Sequence, residues 1–320
     1  MRIRSYFVAM FIAGLLFGRI DMVHGQDYPS KPIRLVTGGA GGTSDFVARV
    51  LAQGFTTALG QAVVVNYPSG NIPGQTVAKA TPDGYTLLVA GATVWIGPLL
   101  QKEVPYDPEK DFLPVSLAVR EPAVLVVHPS LPVHSAKELI ALAKARPGEL
   151  NYASGQAGSQ SQLAMELFKY MAGVNIQGIP YANGSIRIAE LLGGQTQIEI
   201  DNAVVVTPHV KTGRLRALAV AGLQSSPLLP GLPTISATGV PGYESIGRTA
   251  LFAPAKTPDV IIVRLNQEVV RFLDLPGTKA RLLEYGQEAA GSSPQELAAI
   301  VRAERERLGK VIKASGIRGQ

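Results

Sequence analysis

Short apolar runs alternate with stretches of helical periodicity along most of the chain. The apolar runs have the length and composition of buried β-strands, and they cover residues 33–36, 62–65, 86–90, 123–127, 150–153, 197–200 and 216–221. The helical stretches cover residues 46–59, 136–144, 162–171, 186–192, 260–273 and 294–314. Ser135 and Ser159 stand where N-caps are expected. This alternation predicts an α/β fold whose parallel sheets are covered by helices on both faces.

Two segments share the order strand, small-residue loop, helix. The first is "LVTGGAGGTSDFVARV", residues 35–50, and the second contains the loop "NYASGQAGSQSQL", residues 151–163. Because ligands bind at the carboxyl ends of strands in open α/β sheets, we expect both loops to face one cleft. The pattern restarts near residue 120, which predicts two domains. Domain 1 is expected to comprise residues 26–125 and 246–320, and domain 2 residues 126–245.

The first residues have the layout of a secretory signal peptide. Arg2 and Arg4 precede an apolar run at 6–17, and Val23 and Gly25 are small residues suitable for cleavage before Gln26. A run of about 12 residues is too short to cross a bilayer comfortably, although an uncleaved anchor is the alternative. We therefore expect residues 1–25 to be removed and the mature protein to be periplasmic.

Composition narrows the possible functions. Hydrophobic residues make up 46% of the chain and charged residues 17%, enough for a large core. The absence of cysteine excludes disulfides, thiol nucleophiles and thiolate metal sites. The formal charge is +6, and aromatic residues, at 6%, do not interleave with basic clusters. Nucleic acid is therefore not an expected partner.

The chain lacks the common signatures of catalysis and cofactor binding. Ser44 stands where the dinucleotide fingerprint of the 39–44 loop would need its third glycine, and no lysine follows the glycines as in a P-loop. The four histidines offer no pair at metal-ligand spacing, and there is no G-x-S-x-G elbow. We predict no metal, no cofactor and no enzymatic activity.

Binding of an anion is the chemistry that the loops favour. Backbone amides freed by glycine beside a helix N-terminus suit a carboxylate or a phosphate, with Thr43 and Ser44 as hydroxyl donors. The alternative is a tight turn in which Ser44 merely caps the helix. Asp45 would repel an anion unless it points away, so we interpret Asp45 as a cap or scaffold residue.

The sequence resembles the solute-binding proteins of tripartite tricarboxylate transporters, also called Bug receptors. The resemblance covers essentially the whole mature chain and follows the family's order of motifs. These are "YPSKPIRLV", "GGTSD", "TPDGYTLLVA", "VPYDPEKDFLPVS", "KARPGELNYASGQAGSQSQLAMELF", "LLGGQTQIEIDN", "GRLRALAV" and "LPTISATGVPGYE". It implies a type II-like periplasmic binding protein, with two α/β domains closing over a small organic anion that is passed to a membrane permease.

The resemblance also implies which residues bind the ligand. In such receptors both loops grip a carboxylate, and an acidic residue after the strand near residue 200 faces the cleft. The predicted ligand-binding residues are Thr37, Gly38, Gly39, Gly41, Gly42, Thr43, Ser44, Thr93, Ser154, Gly158, Ser159, Asp201 and Arg248. For Asp201 the alternative is a turn-forming role. We further expect a monomer, and either a transport receptor, a ligand-loaded partner of a membrane sensor, or an enzyme of similar fold.

The chain departs from the family pattern at Thr37 and Gly38, where a proline and a bulky residue are usual, and at Arg248 and Thr249, where an aromatic pair is common. Two roles are open for Arg248. It forms a salt bridge at the hinge, or its planar fork holds a second carboxylate of the ligand.

Overall fold

A computed structural model describes residues 28–68, 73–101 and 103–317. The predicted signal peptide lies outside the described residues. Within them the strands form a six-stranded and a five-stranded sheet. The strands are β1 (Ile33–Val36), β2 (Val63–Asn66), β3 (Thr86–Gly91), β4 (Phe112–Glu121), β5 (Ala123–Val127), β6 (Asn151–Ser154), β7 (Gln177–Pro180), β8 (Ile198–Asn202), β9 (Arg216–Val220), β10 (Gly247–Pro254) and β11 (Glu288–Ala289).

Helices separate most of these strands, as the periodicity predicted. They are α1 (Thr43–Leu59), α2 (Pro73–Ala78), α3 (Thr93–Leu100), α4 (Ala136–Ala145), α5 (Gln160–Ala172), α6 (Gly184–Leu192), α7 (Ala203–Lys211), α8 (Ile235–Thr238), α9 (Asp259–Leu273), α10 (Pro276–Glu284) and α11 (Pro294–Ser315). Every predicted strand and helix is present, with bounds shifted by no more than three residues. The predicted N-caps Ser135 and Ser159 are confirmed, because each side chain accepts a hydrogen bond from the backbone of its helix.

Both sheets are mixed, so the prediction of parallel sheets was wrong. The strand orders are β11-β4-β10-β3-β1-β2 and β7-β6-β8-β5-β9. β10 runs antiparallel to β3 and β4, and β5 runs antiparallel to β8 and β9. Parallel neighbours need a crossover connection, usually a helix. β4, β5 and β10 lie next to the points where the chain passes from one sheet to the other. The need for a crossover connection therefore does not fix the direction of these three strands.

The chain crosses between the sheets twice. It leaves the first sheet at Glu121, passes Pro122 and enters the second sheet at Ala123. It returns between β9 and β10. The first crossing has a single residue between the two strands, which fixes the end of β4 against the start of β5.

The C-terminal helix α11 connects the two halves through the core. Its buried residues Leu308 and Val311 belong to one apolar cluster with Leu88 of β3 and Phe168 of α5. Because one helix packs on both halves, it closes the space between the sheets from one side. Among the described residues no helix combines the length and the apolar character needed to cross a membrane.

Candidate ligand-binding cavity

A cavity of about 770 Å³ lies between the two sheets. This volume suits a small organic ligand. Its wall is formed in part by the first loop, the end of β3, the loop before α5 and the crossings between the sheets. The polar and charged residues that line it are Thr43, Ser44, Thr93, Gln101, Glu103, Tyr106, Glu121, Gln156, Gln160, Ser245, Arg248, Thr249 and Glu304.

Three helices point their N-termini at this cavity. Thr43 begins α1, Thr93 begins α3 and Gln160 begins α5, and all three line the wall. The first amides of a helix have no acceptor within the helix, and the helix dipole adds a partial positive charge there. Gly42 and Ala92, the N-caps of α1 and α3, give no side-chain cap to those amides. The arrangement therefore favours an anionic group between the three helix ends.

Ser44 is not the cap of α1, contrary to the alternative considered from the sequence. Gly42 occupies the N-cap position, with an extended backbone at φ −87° and ψ 172°. Ser44 is the second residue of the helix and lies on the cavity wall. Its hydroxyl lies beside Gly91 at the end of β3, where an added Cβ would be 3.8 Å from the Ser44 Oγ. The hydroxyl is thus placed as a donor toward the cavity.

Asp45 points away from the cavity, which confirms its interpretation as a scaffold residue. Its carboxylate accepts hydrogen bonds from the Gly41 amide and the Arg49 guanidinium, each at 2.8 Å, and from the Tyr67 hydroxyl at 2.5 Å. Burial alone would raise the pKa of Asp45, but these hydrogen bonds and the Arg49 charge together hold it below its usual range. Asp45 therefore stays ionised and fixes the glycine loop from behind.

The second loop reaches the cavity through Gly158. Its backbone has φ +81°, and an added Cβ would lie 2.8 Å from a Leu100 methyl at the end of α3. Only glycine adopts this conformation easily and also leaves room for Leu100. The loop therefore touches the first half of the protein directly, across the cavity.

The predicted site residues divide into two groups. Those on the cavity wall are Gly38, Thr43, Ser44, Thr93, Gly158 and Arg248. The others lie off the wall, and they are Thr37, Gly39, Gly41, Gly42, Ser154, Ser159 and Asp201. Thr37 and Ser154 are buried, and the Ser154 hydroxyl donates to the Gly155 carbonyl.

Asp201 belongs to a buried charge cluster of the second sheet. It pairs with the Arg187 guanidinium and accepts a hydrogen bond from the Asn202 amide at 2.8 Å. The Arg187 Nε lies 2.8 Å from a carboxylate oxygen of the fully buried Glu199. Arg187 also donates to the Ser161 hydroxyl at 3.0 Å, which links the cluster to the start of α5. Asp201 thus supports the second loop from behind, as Asp45 supports the first.

Arg248 forms salt bridges, which is the first of the two roles predicted for it. Its guanidinium lies 2.7 Å from Glu244 and 3.5 Å from Glu304, and its side chain is only 5% exposed. Glu304 also accepts a hydrogen bond from the Trp95 indole at 3.0 Å. Although Arg248 lines the cavity, protein carboxylates already occupy both arms of its fork.

The polar residues around the cavity that were not among the predicted site residues include Glu121, Asn202 and Thr249. Thr249 and Glu121 line the wall, and Asn202 donates a hydrogen bond to Glu121 at 3.3 Å. A signal was present, because Glu121 and Pro122 interrupt two apolar runs near residue 120, where the pattern of strands and helices restarts. A charged residue at the crossing between the sheets lies at the boundary of both sheets and faces the space between them.

Ser159→Ala is expected to lower the free energy of unfolding by about 1 kcal/mol, because the Ser159 side chain caps α5 through the Gln162 amide. Ser135→Ala is the matched variant, since Ser135 caps α4 in the same way through Glu138 and lies off the cavity wall. Urea denaturation of both variants measures the losses. An undiminished stability of Ser159→Ala beside a destabilised Ser135→Ala would contradict the capping role of Ser159.

Comparison with known proteins assigns the chain to a family. The model of the tripartite tricarboxylate transporter family receptor matches residues 47–317. BugT of Bordetella pertussis is 34% identical, over 97% of this chain and 96% of the relative. The solved structure of Rpa4515 of R. palustris with adipate is 38% identical, with a TM-score of 0.71 over 91% of this chain and 99% of that one. The periplasmic binding protein BugD is 30% identical, with a TM-score of 0.67 over 92% and 100%.

These similarities agree with the two mixed sheets and the cavity between them. The fold is that of a type II-like periplasmic binding protein. The family match begins inside α1 and covers strands β2 to β11 and the C-terminal helix, so β1, the glycine loop and the first residues of α1 precede it. The chain belongs to the receptor family of the tripartite tricarboxylate transporters.

Proposed function

We propose that the protein is an extracytoplasmic receptor that captures a small organic carboxylate and delivers it to a tripartite tricarboxylate-type membrane permease. The observation that carries this proposal is the convergence of three helix N-termini, those of α1, α3 and α5, on one cavity. A carboxylate placed there accepts amide hydrogen bonds and interacts favourably with all three helix dipoles.

The relatives support this assignment. Rpa4515 is named with adipate, a small carboxylate, and BugD is named as a periplasmic binding protein. The family description supplies the transporter as the partner. The predicted leader at 1–25 supports export. We infer a receptor that acts as a monomer, with no catalytic step on the ligand.

The sheet arrangement supports two domains close to the expected 26–125 with 246–320, and 126–245, but residue 125 lies inside β5 and we propose Pro122 as this boundary instead. Strands β1–β4, β10 and β11 form one sheet, and β5–β9 form the other. The cavity lies between them, so relative movement of the two halves would open and close it. The loop at Gly158 already lies against Leu100, so opening would separate these two residues, and closure would restore their contact and exclude water from the bound carboxylate.

Ser44→Ala is the test of this function. The substitution removes a hydroxyl donor from the cavity wall while leaving the α1 cap unchanged, because Gly42 is the N-cap. A hydrogen bond to a charged acceptor contributes about 1.5–3 kcal/mol, so we expect adipate to bind roughly 10- to 150-fold more weakly. Calorimetric titration of the mature protein measures the affinity, and thermal melting checks that stability is retained.

Ser185→Ala is the matched control. Ser185 is likewise the second residue of its helix, α6, but it is exposed and lies off the cavity wall. Its substitution should leave adipate binding unchanged. Equal affinities of wild type and Ser44→Ala would argue against a carboxylate held at the α1 terminus. A wild-type protein that binds no carboxylate would refute the proposed function.

A further inference from the structure

Glu121 is a buried carboxylate on the cavity wall that forms no ion pair with any other described residue. It is 8% exposed and stands at the first crossing between the sheets, directly before Pro122. Among the described residues no lysine, arginine or histidine nitrogen lies within 4.0 Å of its oxygens. Glu304, the other buried glutamate on the described cavity wall, is paired with Arg248. A buried carboxylate without a cation is costly, which makes Glu121 a candidate for a role beyond folding.

The hydrogen bonds that Glu121 accepts are all long. The hydroxyls of Thr43 and Thr249 lie at 3.5 Å and the Asn202 amide nitrogen at 3.3 Å. Hydroxyl donors approach carboxylates at about 2.5–3.0 Å when the bond is strong, and an ionised carboxylate has about four acceptor sites. Burial raises the pKa of Glu121, and the two threonine hydroxyls lower it only in part. The carboxylate therefore keeps acceptor capacity for a donor in the cavity.

The backbone makes room for this carboxylate. A Cβ added at Gly247 would lie 2.8 Å from the Glu121 Cβ and 3.1 Å from its Oε2. Glycine at the start of β10 thus allows the Glu121 side chain to lie against the neighbouring strand and face the cavity. Any other residue at position 247 would push the carboxylate out of this position.

The charges of the cavity wall do not favour a second anionic group. The described charged residues on the wall are Glu103, Glu121, Glu304 and Arg248. Arg248 is already paired with Glu244 and Glu304. Lys102 lies outside the described residues. The helix N-termini thus attract an anion, while Glu121, which lies 3.5 Å from the Thr43 hydroxyl at the edge of this group of helix ends, would attract a cation and repel a second carboxylate.

We propose that Glu121 is a specificity-determining residue that selects carboxylates carrying a protonated nitrogen over dicarboxylates of the same length. The inference rests on the proposed function and names its ligand class. The ligand's carboxylate would lie at the helix termini, and its ammonium group would donate to Glu121. An ammonium supplies three donors and the positive charge that the buried carboxylate lacks.

The test compares ω-amino acids with dicarboxylates and simple acids of equal length. The probes are 6-aminohexanoate, adipate and hexanoate, together with the corresponding three-, four- and five-carbon compounds. At the best length we expect calorimetry of the wild-type protein to show the amino acid binding at least about 10-fold more tightly than the dicarboxylate. Glu121→Gln should abolish this preference and leave the affinity for the simple acid within about 3-fold.

Glu103→Gln is the matched control, since Glu103 is the exposed carboxylate of the same wall. It should keep the preference. A wild-type protein that binds the dicarboxylates as tightly as the amino acids, or a Glu121→Gln variant that keeps the preference, would overturn this inference alone. The relative affinities of the wild-type protein for the probes are sufficient to overturn the inference. The test therefore remains valid even if the variant folds poorly. A wild-type protein that binds none of the probes would refute the proposed function, and this inference with it.

Discussion

Replacement of Arg248 by methionine is expected to lower the free energy of unfolding by about 3–5 kcal/mol. Arg248 is 5% exposed and lies between Glu244 and the equally buried Glu304. Burial raises the pKa of Glu304, and the Arg248 charge lowers it. Without the guanidinium, Glu304 must remain charged and unpaired in the core or take up a proton. Either outcome costs stability, and methionine replaces only the lost packing.

Urea denaturation measures this loss when all curves are fitted with one common dependence of the unfolding free energy on urea concentration. Two variants serve as controls. Arg248→Met combined with Glu304→Gln removes the stranded charge and keeps an acceptor for the Trp95 indole, so it should recover part of the stability. Lys310→Met breaks an ion pair whose two side chains are both exposed, and it should cost no more than about 1 kcal/mol. A small loss for Arg248→Met would show that the guanidinium is not required by its buried partners.

Arg248 also illustrates where the sequence stops being informative. It interrupts an apolar stretch, so a special role could be predicted, but the choice between salt bridge and ligand contact could not. That choice depends on Glu244 and Glu304, which reach Arg248 from a preceding turn and from α11, 56 residues further on. Pairings at such separations leave no local pattern in the chain.

Some elements were not predicted because their sequences interrupt the expected apolar or helical pattern. β10 contains Arg248 within a run that otherwise reads as apolar, and β4 contains Pro114, so neither gives the continuous apolar signal of a central strand. α3 has no side-chain cap and contains Pro98. By contrast, strands and helices with a regular period were predicted within a few residues. The positions of Ser44 and Asp45 followed from the loop's sequence, whereas the sequence marked Glu121 only as an interruption of two apolar runs, and its place on the cavity wall depends on how the two sheets lie together.

The cluster of Arg187, Glu199 and Asp201 gives the second large expected effect. Two buried carboxyl groups share one guanidinium there, and Glu199 is completely buried. Burial and the Asp201 charge raise the pKa of Glu199 to about 8, against the opposing effect of Arg187. The folded protein therefore holds a proton that the unfolded chain releases above about pH 4.5. Stability falls as the pH rises through this window, because the folded state binds more protons than the unfolded state.

Arg187→Met is expected to cost about 3–5 kcal/mol at pH 8 and clearly less at pH 5. The substitution removes the charge that lowers the pKa of both carboxyl groups. At pH 5 the folded variant can keep both groups protonated at a much lower cost than at pH 8, because pH 5 lies close to the ordinary pKa values of the two groups. At pH 8 the unfolded chain gains from releasing those protons, whereas the folded variant must either keep them or bury two unpaired charges.

Urea denaturation measures the stability of wild type and Arg187→Met at pH 5 and at pH 8. The decisive control is the double variant that combines Arg187→Met with Glu199→Gln. Glutamine cannot ionise, so this double variant should lose less stability between the two pH values than Arg187→Met alone. Lys279→Met, which breaks an ion pair with Asp274 in which both side chains are exposed, should show a small cost of about 1 kcal/mol or less at both pH values. A loss for Arg187→Met that is equal at both pH values would mean that Arg187 stabilises the second sheet by packing and hydrogen bonding, and that the two carboxyl groups do not titrate with folding.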